Sequence, residues 1–307
     1  MPNTKTLFHA VTAAFFFAAI PTALLAQWPP YPTPNVPKLA DGKPNMDGPT
    51  PRTADGKPDL SGIWQFDGNR GLRPPGGPGA VTGAGGPPPA GGPPPAGGPP
   101  PVGGTGLGPR PRGPNQFFDI GSTLKDGLPF TPWAAALREQ RKANNNKDNP
   151  DAHCLPLGLM QLHTHPQPRK IIQTPKLIVI LYEAQAGIRQ VFMDGRSLPN
   201  NDPEPWWYGY SIGHWDGDTL VVETTGFRDD VWLDVEGSPL TNTGKMTERF
   251  TRVNFGHLDI QVTVEDPKAY THPWTITIKQ HLLLDTNLIE FICNENEKSD
   301  AHLVGKE

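Results

Sequence analysis

From Lys170 to Glu295 apolar and polar positions alternate with a period of two, and short groups of Gly, Pro, Asn and Asp interrupt the alternation. Such a pattern marks strands whose two faces meet different surroundings. The clearest instance is YGYSIGHWDGDTLVVETTGF, Tyr208 to Phe227, in which two alternating segments flank an Asp216-Gly217 turn. The pattern predicts strands over 170–174, 177–184, 188–194, 207–215, 219–225, 247–253, 258–264, 274–283 and 288–294. LSGIWQF, Leu60 to Phe66, reads as a further strand of the same unit lying far upstream. Thr131 as N-cap, Pro132 at the first helical position and WAAALREQRK predict one helix over 132–143, which Asn144, Asn145 and Asn146 end. A strand meander of this length must close or stack to hide its edges.

Composition divides the chain into segments. Residues 1–26 carry Lys5, an apolar core from Ala13 to Ile20, Pro21 and a small-residue exit at Ala26, the layout of a cleaved secretory signal peptide. The apolar core is too short to span a bilayer, so the mature chain is expected in the periplasm or outside the cell, with no integral membrane segment. Residues 27–58 form an irregular N-terminal segment holding a short echo, ADGKPNMDG from Ala40 and ADGKPDLSG from Ala54. Residues 59–67 hold the first strand. Residues 68–115 are dominated by Gly and Pro and are expected to be a disordered insertion, a tolerated loop expansion or a segment that docks a protein partner. Residues 116–307 supply the helix and the remaining strands, about enough for one β domain.

The net charge of -4 and the absence of a basic block speak against nucleic-acid partners and anionic membranes. Cys154 and Cys293 are the only two cysteines, and in an exported chain they are expected to form a disulfide tying the segment before the strands to the last strand. The chain contains no HExxH or CxxC motif and no phosphate-binding Gly loop. His163 and His165, with His153 nearby, fall in an expected loop before Pro166 without an acidic partner at strand or helical spacing. No metal and no cofactor are therefore expected.

Candidate chemistry comes from the strand faces. With Asp216-Gly217 as the turn, Tyr210 lies opposite Glu223, Ile212 opposite Val221 and His214 opposite Thr219, so Tyr208, Tyr210, Ile212, His214, Val221 and Glu223 share one face. Ser211, Gly213, Leu220 and Val222 share the other. The first face is either a ligand cavity or an amphipathic outer surface. As a cavity it would offer Tyr210, His214 and Glu223 as an acid-base group. A second turn at Phe255-Gly256 sets Arg249 opposite Val262 among branched apolar residues, where it needs a carboxylate such as Glu223 or Glu290, or an anionic or carbonyl-bearing ligand. Asp194, Arg196 and Glu204 resemble a polar rim beside Trp206 and Trp207, an arrangement suited to sugars or planar ligands, though the two tryptophans could equally form a lid.

Several of these segments carry a resemblance: PDLSGIW at Pro58, CLPLG at Cys154, VFMDGR at Val191, GHWDGDTLVVETTGF at Gly213 and CNENEK at Cys293. Together they resemble an uncharacterised family of exported bacterial proteins, a likeness that implies no activity. Gly62-Ile63-Trp64 also resembles the opening strand signature of lipocalins. The expected fold is thus mainly β, an antiparallel meander closed into a lipocalin-like β-barrel with one N-terminal helix and the Gly/Pro-rich insertion. The expected function is binding of a small, largely apolar molecule with polar groups. The alternatives are a cofactor-independent lyase, isomerase or hydrolase using His214, Glu223 and Tyr210, and an envelope interaction protein.

Overall fold

A computed structural model describes residues 31–68, 119–199, 204–293 and 295. The expected signal peptide, and all of the Gly/Pro-rich stretch after its first residue, lie outside the described residues. The strands are β1 (Gly62–Phe66), β2 (Arg169–Gln173), β3 (Leu177–Tyr182), β4 (Gly187–Phe192), β5 (Tyr210–Asp216), β6 (Thr219–Thr225), β7 (Val231–Trp232), β8 (Pro239–Leu240), β9 (Lys245–Arg252), β10 (His257–Glu265) and β11 (Trp274–Leu283). Among the described residues two α-helices accompany them, α1 (Pro132–Ala143) and α2 (Leu159–Thr164). All strands except β7 and β8 close into one barrel in the order β1-β11-β10-β9-β6-β5-β4-β3-β2, and β7 and β8 pair separately. The upstream strand β1 closes the ring, pairing with β11 on one side and β2 on the other.

The alternation that predicted the strands is what fills the barrel. Met246, Glu248, Phe250 and Arg252 of β9 are buried, as are Leu258, Ile260, Val262 and Val264 of β10 and Ile276, Ile278, Gln280 and Leu282 of β11. One ladder breaks the antiparallel rule. β4 and β5 run parallel and share only the pairs Val191↔Ser211 and Phe192↔Ile212. A parallel pair needs a long return connection, here the segment from Met193 to Gly209.

Further sequence expectations are corrected. The β5–β6 turn residues are Gly217 and Asp218, because Asp216 pairs with Thr219, so Ile212 faces Glu223 and His214 faces Val221. This shift is even, and the face memberships survive it. The β9–β10 register differs by one residue, with Arg249 opposite Gln261 and Glu248 opposite Val262. That shift is odd and exchanges the faces: Glu248 points in and Arg249 points out. Residues 288–293 form no strand, because β11 already has β10 and β1 as neighbours and offers no free edge. Ile289 and Ile292 are accordingly exposed.

Helix α1 matches its prediction, with the Thr131 hydroxyl accepting from the Ala134 amide. Helix α2 replaces the loop expected around His163. All six of its residues are buried. Gly158 precedes it in close contact with the backbone, since a Cβ there would lie 2.5 Å from the Trp232 carbonyl oxygen. Cys154 and Cys293 form a disulfide with a Cα–Cα distance of 5.6 Å, which ties the C-terminal segment beside the chain that leads into α2. Among the described residues no helix is long and apolar enough to cross a membrane.

Candidate functional site

The polar centre of the barrel is built from four strands and α2. Arg189 of β4 donates to both carboxylate oxygens of Glu248 on β9, to Ser211 on β5 at 3.1 Å and to Thr224 on β6 at 2.9 Å. His163 of α2 reaches the same carboxylate through Nε2 at 2.6 Å. A carboxylate can only accept, so Nε2 carries the proton, and Nδ1 meets no partner among the described residues. Burial pulls the His163 imidazole below its ordinary value and keeps it neutral, against the pull of Glu248. Burial pushes the Glu248 carboxyl up, but Arg189 and the His163 hydrogen bond outweigh it and hold the group at about 2. The His163 carbonyl accepts from Arg169 at 2.7 Å and from Gln280 at 3.3 Å, which fixes α2 to β2 and β11. Phe250 and Tyr182 edge against the imidazole.

This assembly has the geometry of an acid-base pair. Yet His163, Glu248, Arg189 and Arg169 are each at most 2% exposed, so no substrate reaches them in this conformation. Its role in the described state is to pair a buried charge and join strands. Sequence reasoning missed it for two reasons. The odd register slip put Arg249 where Glu248 belongs, and a helix of six residues is too short to show a 3.6-residue period.

The residues singled out on the β5–β6 face lie on the outside of the barrel. His214 is exposed, and Glu223 pairs with Lys245. Tyr210 accepts from Arg196 at 2.9 Å. The three do not converge on one cavity. Arg249 sits outside too, paired with Asp216 at 2.8 Å. Its expected partners, Glu223 and Glu290, are not the ones it takes.

Three of the expected ligand-binding residues, Asp194, Arg196 and Trp206, do come together, around Tyr210. Asp194 and Arg196 are bonded at 2.5 Å, and that hydrogen bond holds the Asp194 carboxyl at about 2. The Arg196 guanidinium lies 3.9 Å from the Phe192 ring centre. Phe192 stacks on Tyr210 at 5.2 Å, and Trp206 lies 5.7 Å from Tyr210. They form an open surface shelf rather than an enclosed pocket. Trp207 is not part of it and packs under Arg228 at 4.6 Å.

A deeper groove lies at one end of the barrel. The two ADGKP echoes are two copies of one turn: Lys38 bridges to Pro44 and Arg52 to Pro58. In each, the glycine adopts a positive φ, +83° at Gly42 and +80° at Gly56, which the left-handed turn requires. The first copy docks on the β9–β10 turn, where the Phe255 and Gly256 amides donate to the Gly48 and Met46 carbonyls at 2.8 Å. The second docks on the β5–β6 turn through Arg52 and Asp218 at 2.6 Å. Thr33 and Asp285 exchange two bonds at 2.8 Å. Between this strap and the ends of β1, β2 and β11 remains a groove of about 910 Å³. Pro34, Pro37, Pro51, Ile63, Phe255 and Leu282 supply apolar wall, and Asp59, Lys170, Arg252 and Asn287 supply polar groups.

Comparisons of the chain with protein-family models, curated proteins and solved structures found no match.

Proposed function

We propose that this chain is an exported protein that binds a small, largely apolar molecule bearing polar groups, and that the binding site is the groove beneath the N-terminal strap. The observation that carries this reading is the groove's size and lining. A volume of about 910 Å³, walled by proline rings and branched side chains with a few convergent polar groups, fits the usual make-up of a small-molecule site. The disulfide and the signal-like first residues support export. The barrel interior is the poorer candidate, because α2 and the inward side chains occupy it.

The test uses N-phenyl-1-naphthylamine, a neutral apolar dye whose fluorescence rises on leaving water. The protein should bind it saturably, and Ser61→Trp, which places an indole into the groove, should weaken binding at least about tenfold with little change in Tm. Binding that is not saturable, or that Ser61→Trp leaves unchanged, would count against the groove.

A further inference from the structure

We infer that the groove selects an anionic amphiphile, an aliphatic or alicyclic body ending in a single carboxylate-like head, with the head held between Arg252 and Lys170. The inference rests on the groove being the binding site. Arg252 is the last inward position of β9, and its residue is only 6% exposed. Its guanidinium donates to three backbone carbonyls, those of Asp59, Asn254 and Phe255, and lies 5.0 Å from the Trp64 ring centre. Those bonds use three of its five N–H groups. No ion pair involves Arg252 among the described residues, in contrast to Arg189, which has Glu248.

Carbonyl oxygens orient a guanidinium without neutralising it, and a poorly solvated cation lacking a counter-ion carries a cost that an incoming anion removes. Burial pulls Arg252 down to about 10, with Asp59 as the opposing influence. Lys170 lines the same groove, and among the described residues its ammonium reaches only the Asn287 amide oxygen, at 3.2 Å. Asp59 is the one acidic residue in the lining among the described residues, and its carboxylate caps the Ser61 amide at 2.8 Å. Among the described residues, two cations and one carboxylate leave the groove one positive charge in excess, against a chain whose net charge is -4. The apolar walls around that charge have no use for a small hydrophilic anion.

Displacement of the bound dye by decanoate, decanol and decylamine at one near-neutral pH and low salt tests the inference. Decanoate should displace at a concentration about tenfold or more below decanol, with decylamine weakest, because a charge-assisted hydrogen bond is roughly twice as strong as a neutral one. Lys170→Gln should weaken decanoate about three- to tenfold and leave decanol unchanged. Arg252→Gln should do the same more severely, but Arg252 also holds the strap, so Lys170→Gln is the variant that decides. If decanol matches decanoate while Ser61→Trp abolishes both, the groove stands and the anion preference is wrong. If none of the three displaces the dye, or Ser61→Trp has no effect on any of them, the groove reading fails with it.

Discussion

At the residue scale Glu248 carries the largest single consequence. It is fully buried, ion-paired to Arg189 and bonded to His163. Glu248→Gln keeps the shape but leaves the Arg189 charge without a counter-ion, and removal of one partner of such a pair costs about 3–5 kcal/mol. Denaturant unfolding should show that loss, whereas Arg249→Gln, one residue along and on the outside, should cost less than about 1 kcal/mol. The same cluster sets an acid limit. The folded pKa of His163 lies below 6.5, and that of Glu248 is held at about 2 against an ordinary 4.5. In both cases the unfolded chain binds the proton more readily, so stability is present at high pH and declines as pH falls. The decline should begin near 6.5 through His163, which faces Glu248, Arg189, Arg169 and Tyr182, and should steepen below 4.5 through Glu248. A Tm that stays level from 7 down to 4 would contradict it. The contrast between Glu248 and Arg249 also marks the limit of legibility. Alternation identifies two faces on β9, but only the pairing across the Phe255-Gly256 turn says which is inward, and Asn254, bonded to Gly256 and His257, moves that pairing by one residue.

At the element scale, legibility followed pattern length. The eight-, nine- and ten-residue strands β9, β10 and β11 declare themselves by alternation, and α1 by its Thr131-Pro132 start. Helix α2 does not, since LMQLHT holds less than two turns and is helical because the barrel encloses it. Its placement depends on Gly158. A methyl group there would meet the Trp232 carbonyl oxygen at 2.5 Å and Val231 at 2.7 Å, atoms of the buried strand β7. Gly158→Ala should therefore push α2 out of register with Glu248 and destabilise the fold by about 1–3 kcal/mol. A thermal melt with unchanged midpoint would show that β7 yields instead. The surface shelf was legible in part: Asp194, Arg196, Trp206 and Tyr210 meet because the turn after β4 and the approach to β5 lie side by side. Trp207, the next residue along, faces elsewhere and joins Arg228.

At the scale of the whole molecule, closure of the meander and the Cys154–Cys293 bond were both readable, the first from the need to hide edges and the second from there being one pair of cysteines. The parallel junction was not, because nothing in the alternation of β4 or β5 records strand direction. This junction has a dynamic consequence. A ring opens where its ladder is thinnest, and β4 and β5 share two residue pairs where β10 and β11 share eight. Across that junction the Arg189 guanidinium reaches from β4 to β5, β6 and β9 at once, while on the outside Phe192 of β4 stacks on Tyr210 of β5. Subglobal opening should thus start as a hinge between β4 and β5, and amide hydrogen exchange should find Val191, Phe192, Ser211 and Ile212 less protected than the β9–β11 amides. Arg189→Met should speed exchange at these four positions well before it does so in β10. Equal protection around the ring would mean that the barrel breaks all at once. If the hinge exists, it is also the route by which water first reaches His163 and Glu248, so that acid sensitivity and mechanical weakness of this barrel share one doorway.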